Sequence, residues 1–96
     1  MRRDEEQMSG PDQSSLQFPC DFPIKAMGPA TATFDAVVVD IVRRHAPDFS
    51  EAAITVRPSA KGKYLAVTVT IRARSREQLD AIYHDLVACE QVSVAL

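Results

Sequence analysis

One stretch of the chain alternates apolar and polar positions for longer than any other. From Leu65 to Ala73 every second residue is apolar, and the residues between are small or polar. Strict alternation of this kind is typical of a β-strand with one buried and one exposed face. A shorter alternating run begins at Ile54, and Gly62 between the two runs permits the positive φ of a tight reversal. The pattern therefore predicts a β-hairpin over residues 54 to 73.

On both sides of this hairpin the apolar positions change to a helical period. Between Phe34 and His45 they recur three and four residues apart, which predicts a helix of about 15 residues from about Thr31, with Thr31 or Thr33 as its N-cap. After the hairpin, Ser75 and Gln78 have the spacing of a capping box, which marks the start of a second helix. The apolar stripe of that second helix comprises Leu79, Ile82, Tyr83 and Leu86.

Short alternating runs predict two more strands, one from Phe22 to Met27 and one from Val92 to Leu96. The order strand, helix, strand, strand, helix, strand is that of a ferredoxin-like α+β sandwich with right-handed crossovers. By analogy with that fold, we expect an antiparallel sheet of strand order 4-1-3-2 with both helices on one face. The predicted core of the sheet comprises Phe22, Ile24, Ile54, Val56, Leu65, Val67, Val69, Ile71, Val92 and Val94. The helices would contribute Phe34, Val37, Val38, Ile41, Leu79, Ile82 and Leu86.

Composition restricts the class of protein. A chain of 96 residues with 46% hydrophobic and 25% charged residues has the size and balance of one globular domain. Residues 1 to 17 are mostly charged or polar and are predicted to be a disordered tail, which leaves residues 18 to 96 as the folded domain. No apolar run could span a bilayer and no signal-peptide pattern is present, so we expect a cytoplasmic protein without a membrane partner. The net charge of -2 resides in the tail, and the balanced remainder disfavours a nucleic-acid partner.

The residue types that carry catalysis do not form a recognisable group. Cys20 and Cys89 match no metal-ligand spacing, and the predicted topology puts them at opposite ends of the sheet, too far apart for a disulfide. His45 and His84 have no nucleophile or carboxylate at the spacing of a triad, so we expect them to be structural or solvated. The sequence therefore predicts neither an enzyme nor a cofactor.

Two regions are candidate binding sites. A small-residue turn before the first helix would leave backbone N–H groups free for a carboxylate or phosphate, or would simply connect two elements. That turn comprises Met27, Gly28, Pro29 and Ala30. The second region is the open face of the sheet with its hairpin, which carries Lys25, Arg57, Lys61, Lys63, Tyr64, Thr68 and Arg72. Its positive charge could meet an anion or keep an exposed sheet edge from pairing, and its single aromatic ring is a poor platform for RNA bases.

Three sequence segments are more specific than the periodic pattern: "KAMG" at residues 25 to 28, "RRHAP" at residues 43 to 47 and "VRPSAKGKYLAVTVTI" at residues 56 to 71. With these segments the chain resembles the YbeD-like family of small bacterial proteins. The resemblance covers about residues 18 to 96 and implies an ACT-like ferredoxin fold in a family whose biochemical role is uncharacterised. ACT-type domains bind amino acids near the glycine-bearing turn after the first strand, often between paired domains. Carried over to this chain, that site would be Met27, Gly28, Pro29 and Ala30.

We therefore predict a small cytoplasmic domain without catalysis of its own, which acts as a regulatory or protein-interaction module. It would use its open sheet face, where Met27, Tyr64 and Ala66 are expected to be exposed, or the turn at Gly28. The expected partner is another protein, and pairing as a homodimer is an open alternative. Amino-acid sensing by an ACT-type domain and weak RNA binding are the two alternative functions.

Overall fold

The computed structural model describes residues 16 to 96, which form one antiparallel sheet and two helices. The strands are β1 (Cys20–Pro29), β2 (Ile54–Pro58), β3 (Tyr64–Ala73) and β4 (Val94–Ala95), and the helices are α1 (Phe34–His45) and α2 (Arg76–Ala88). A 3-10 turn at Glu51–Ala53 leads into β2. The sheet order is β2-β3-β1-β4, which is the predicted order counted from the other edge. The ferredoxin-like α+β sandwich is thereby confirmed.

The core lies between one face of the sheet and the two helices. In its centre Ile24 pairs with Val69 and Ala26 pairs with Val67, and none of the four side chains has any exposed surface. The buried helical residues are Phe34, Val38, Ile41 and Val42 of α1 and Leu79, Ile82 and Leu86 of α2. Each fully buried aliphatic or aromatic side chain contributes about 1.5 to 3 kcal/mol relative to an exposed one. The buried side chains at the alternating strand positions and along the helical stripes therefore supply the main stabilisation of this domain.

The periphery of the predicted core is more open than its centre. Val56 is 41% exposed because it lies on the edge strand β2. Val94 is 45% exposed, and its predicted inward orientation was wrong: Ala95 pairs with buried Ala26, while Val94 pairs with Met27. The turn that follows α2 explains the reversed orientation of Val94. Because β4 begins only at Val94, the alternation of inward and outward side chains in this strand starts at that residue.

The first helix is shorter than predicted. It contains 12 residues and begins at Phe34, with Thr33 as an N-cap whose side chain makes no capping hydrogen bond. The residues before it form a separate turn, in which the N–H of Thr31 donates to the carbonyl of Pro29 at 2.8 Å. Of the two predicted N-caps, Thr33 is the one observed, and Thr31 belongs to the connection.

Gln78 connects the start of α2 to the end of α1. The Ser75 hydroxyl accepts a hydrogen bond from the N–H of Gln78 at 3.1 Å, which is one half of the predicted capping box. The Gln78 side chain accepts from the N–H of Arg74 at 2.7 Å, one residue before the position expected for a capping box. Its Nε2 donates to the carbonyl of His45 at 2.9 Å, so one side chain satisfies backbone groups of two elements.

The predicted tail, residues 1 to 17, lies outside the described residues except at its last two positions. One of these, Leu16, packs against the core. Cys20 and Cys89 are free thiols. Between residues 16 and 96 no helix is both long and apolar enough to cross a membrane.

Candidate functional site

The open face of the sheet is formed by rows of side chains that run across the strands. One row comprises Thr55, Thr68 and Lys25, and the next comprises Arg57, Ala66, Met27 and Val94. Leu96 extends the first row, because its N–H and carbonyl exchange hydrogen bonds with the backbone of Lys25 at 2.7 and 3.1 Å. Tyr64 lies at the hairpin end, opposite Pro29. Both helices of residues 16 to 96 lie on the other side of the sheet, so neither of them covers these rows.

Exposed apolar side chains occupy one part of this face. Tyr64 is 48%, Val94 45% and Leu96 64% exposed, and Met27 is half-buried between neighbouring strands. Val94 and Leu96 were not predicted for this face, because their orientation depends on where β4 begins. The open face is therefore more apolar than the sequence indicated.

Basic side chains occupy the other part of this face. Lys25, Arg57 and Arg72 project from it, and the Arg72 guanidinium lies 3.3 Å from an Asp21 carboxylate oxygen. Both members of that ion pair are more than half exposed, so the pair contributes little to stability. Of the seven predicted residues, the structure brings Lys25, Arg57, Tyr64, Thr68 and Arg72 to one face and places Lys61 and Lys63 in the β2–β3 connection.

The predicted ligand turn has a different geometry from the one expected. Met27, Gly28 and Pro29 lie within β1 and pair with β3, and only Ala30 follows the strand. The N–H of Ala30 donates to the carbonyl of Lys63 at 2.9 Å, and α1 begins only at Phe34. These residues therefore do not form a helix N-terminus, because β3 extends far enough to keep them paired. Ligand binding by the four residues stays a prediction.

Gly28 has a packing role in this strand. It is buried on the covered face, and a Cβ atom there would overlap the ring of Phe34 and the carbonyl oxygen of Gln91. The glycine therefore allows the first residue of α1 and the segment before β4 to approach β1 closely. This contact explains the glycine without a bound ligand.

On the opposite side of the molecule, a cleft of about 500 Å³ lies between α1 and α2. Its apolar lining includes Val37, Ile41 and Cys89. Beside it, the Nε2 atom of His45 lies 2.7 Å from a carboxylate oxygen of Asp85, and this hydrogen bond lowers the pKa of Asp85. No spacing signal could have predicted that pair, since the two residues are 40 positions apart.

Two further observations limit the chemistry of the domain. In the described part of the chain, no group of three or more His, Cys, Asp or Glu side chains could hold a metal ion. The hydroxyl of Tyr83 donates to the carbonyl of Leu96 at 2.6 Å, and burial raises the pKa of Tyr83. Tyr83 therefore anchors the last residues of the chain to α2 as a neutral hydrogen-bond donor.

Comparisons with known proteins agree with this architecture. A family model described as a protein of unknown function (DUF493) matches residues 13 to 96. A UPF0250 protein of Janthinobacterium sp. (strain Marseille) is 46% identical over 86 residues, which cover 90% of this chain and 94% of that protein. A UPF0250 protein of Neisseria meningitidis serogroup A is 47% identical over 83 residues, which cover 86% and 91% of the two chains.

Among solved structures, the solution structure of protein HP0495 from H. pylori superposes with a TM-score of 0.65 over 92% of both chains. The two sequences are only 12% identical, so this likeness supports the fold alone. The 46% and 47% identical relatives, by contrast, share most of their length with this chain. The chain therefore belongs to the DUF493 family of small bacterial proteins, whose function is uncharacterised, and the resemblance to the YbeD-like family is confirmed.

Proposed function

We propose that this domain has no catalytic activity of its own and acts as a cytoplasmic protein-interaction module that regulates the protein it binds. Its working surface is the open face of the sheet. One observation carries the proposal: the sheet face that neither α1 nor α2 covers exposes Tyr64, Val94 and Leu96 beside the half-buried Met27. Apolar side chains that cluster on an exposed surface and are bordered by polar ones are typical of interaction sites.

The edges of the sheet are less suited to binding than its face. On β2, Pro58 has no N–H, and the N–H of Ile54 already donates to the carbonyl of Glu51. At the opposite edge, β4 contains only two residues. Short edge strands and proline are devices that prevent a further strand from pairing. A partner would therefore contact side chains of the face rather than extend the sheet.

Photo-crosslinking in the native cell tests this proposal. A photoreactive amino acid in place of Met27 would sample the open face, and the same amino acid in place of Asp80 would sample the exposed side of α2 as a control. We expect protein adducts at position 27 and none at position 80.

An absence of protein adducts at position 27, or adducts that ribonuclease removes, would contradict the proposal. An adduct with the mass of two copies of this chain would support an interaction module that binds itself. A melting curve for each substituted protein would confirm that both remain folded.

A further inference from the structure

The two sides of this domain carry opposite charge. Residues 16 to 96 contain equal numbers of acidic and basic side chains, but the two signs are not mixed evenly. The open face and the hairpin connection carry five basic residues and one acidic residue: Lys25, Arg57, Lys61, Lys63 and Arg72, with Asp21. The helices and the segments that connect them to the strands carry eight acidic residues and four basic residues. The neutral domain is therefore polarised across the sheet.

Local ion pairs leave this difference in net charge unchanged. On the helix side Arg44 lies 2.9 Å from Asp40, and Arg74 lies 2.8 Å from Asp48, so two of the basic residues there already have acidic neighbours. On the open face, neither Lys25 nor Arg57 has an ion-pair partner among residues 16 to 96. Within this part of the chain, no carboxylate neutralises their charge.

Basic residues of the open face lie close to its exposed apolar residues. Arg57, Met27 and Val94 lie in one row, and Lys25 lies in the adjacent row beside Leu96. With strands about 4.8 Å apart, Arg57 and Val94 are separated by roughly 14 Å. One short segment of a partner could contact both.

We propose that the open face binds an acidic protein segment that carries apolar side chains between its carboxylates. This inference rests on the proposed function and specifies the chemistry of the partner. Carboxylates would pair with Lys25 and Arg57, and apolar side chains would cover Met27, Val94 and Leu96. Complementary charge accelerates association and selects among partners, while burial of the apolar row supplies affinity.

A second copy of the chain is a poor occupant for physical reasons. Two open faces placed together would bring the five basic residues and one acidic residue of one copy against the same set in the other, so the two surfaces would repel each other. Contact between the open face of one copy and the acidic helix side of another would not close, and would continue into a chain of molecules. A different, acidic protein avoids both difficulties.

RNA is also a polyanion, but the open face suits it less well. Stacking of bases needs aromatic rings, and among residues 16 to 96 Tyr64 is the only ring in the set of exposed large hydrophobic residues. Phosphates would leave Val94 and Leu96 without an apolar contact. An acidic segment with apolar side chains uses both parts of the face.

Charge reversal on the two sides of the sheet tests this inference. Arg57→Glu changes the open face, and Arg76→Glu makes the same change in net charge at an exposed position of α2. With the photoreactive group at position 27, we expect Arg57→Glu to lower the yield of protein adducts about tenfold, as for loss of one interfacial charge pair. Arg76→Glu should leave the yield unchanged.

Binding of synthetic peptides provides the second arm. Two 12-residue probe peptides, with identical leucines and either glutamate or lysine at the polar positions, would be titrated into the isotope-labelled protein. We expect only the glutamate peptide to shift the amide signals of Met27 and Thr68. High salt and Arg57→Glu should each weaken that binding, and Arg76→Glu should not.

Equal binding of both peptides, or equal effects of the two charge reversals, would overturn the inference. An adduct formed by two copies of this chain would also overturn it. So would a single-stranded RNA oligonucleotide that binds more tightly than the glutamate peptide. If protein adducts at position 27 persist at full yield in Arg57→Glu, the acidic partner is wrong while the interaction module stands. If the unchanged protein gives no adduct at position 27, both are wrong.

Discussion

The two faces of the sheet are made by the same strands and yet have opposite properties. On the covered face Val67 and Val69 are fully buried, whereas Thr68 between them lies on the open face and keeps part of its surface in solvent. The buried residues of β1 and β3 all lie on the covered face, so we expect the open face to contribute less to the stability of the domain. Side chains one position apart on β3 can therefore be tested separately for their part in folding and in the proposed binding.

Polar contacts differ between the two sides in the same way. On the helix side, His45 with Asp85 and Gln78 with His45 join α1 to α2 across partly buried contacts. On the open face the ion pair of Arg72 with Asp21 is longer, at 3.3 Å, and both side chains are exposed. Substitutions in matched pairs, one on each side, can test this division.

Replacement of Val69 by Asp should have the largest effect. Val69 is fully buried, and a carboxylate there would lose its hydration without a basic partner. The cost of several kcal/mol approaches the whole stability of a small domain, which is about 4 to 12 kcal/mol. We expect Val69→Asp to be unfolded at 25 °C by circular dichroism.

The control Thr68→Asp, placed opposite Lys25 on the open face, should change the free energy of unfolding by about 1 kcal/mol or less. A cooperative melt of Val69→Asp near that of the unchanged protein would show that the faces are assigned in reverse.

Replacement of Gly28 by Val should come next. The added side chain would overlap the Phe34 ring and the Gln91 carbonyl, and the overpacking should cost about 3 kcal/mol. Its neighbour Met27 points to the open face, so Met27→Val should cost less than about 1 kcal/mol. Denaturant unfolding measures both. Equal effects of the two substitutions would mean that Phe34 does not pack on Gly28 and that the glycine serves another purpose.

The sequence predicted the centre of the fold because period-two and helical patterns determine which side of an element is buried. Val67, Val69 and Ile71 follow the alternation along the whole of β3, and all three are buried. Patterns do not determine where an element begins. Val94 faces the open side because β4 starts after a turn, and β1 extends through Pro29 because β3 remains opposite it.

The same limit applies to the candidate site: the sequence predicted which strand residues face the open side, but not how separate elements dock. Lys25, Arg57 and Thr68 lie together as expected, since their positions depend only on strand alternation and pairing. The contribution of Leu96 could not be predicted, because it depends on how the last strand docks. The His45–Asp85 pair likewise needs the relative placement of two helices, which local sequence does not contain.

Replacement of Gln78 by Ala should have a moderate effect. It removes the acceptor for the N–H of Arg74 and the donor to the carbonyl of His45, at a net cost of about 1 to 2 kcal/mol. Gln78→Glu keeps the acceptor and loses the donor, so its effect should be intermediate. Arg76→Ala is the exposed control on the same helix turn and should change stability by less than about 0.5 kcal/mol. Denaturant unfolding that gives the same stability for Gln78→Ala and Arg76→Ala would remove the role of Gln78 as a connector.

The smallest expected effect concerns acid. The hydrogen bond with His45 is the largest cause that lowers the pKa of Asp85, with a smaller contribution from His84. A carboxyl group whose pKa is lower in the folded than in the unfolded state stabilises the fold above the unfolded pKa, and this stabilisation is lost as pH falls through the folded pKa. The wild-type melting temperature should therefore fall below about pH 4, the range in which an unfolded Asp takes up its proton. Asp85→Asn cannot take up that proton and should show a shallower fall between about pH 4 and 2.

Asp21→Asn on the open face is the matched control for that acid experiment. Asp21 pairs with Arg72 at 3.3 Å, and both side chains are largely in solvent, so its loss should leave the fall in melting temperature parallel to that of the unchanged protein. Asp85 has a shorter contact with His45, at 2.7 Å, and both side chains are about two-thirds covered. The Asp85 and Asp21 carboxylates differ in their partner and in their exposure. Asp85 lies among the partly buried contacts of the helix side, and Asp21 lies on the exposed open face. A fall that becomes shallower in Asp21→Asn and not in Asp85→Asn would place the more important ion pair on the open face and reverse the division between the folding side and the binding side.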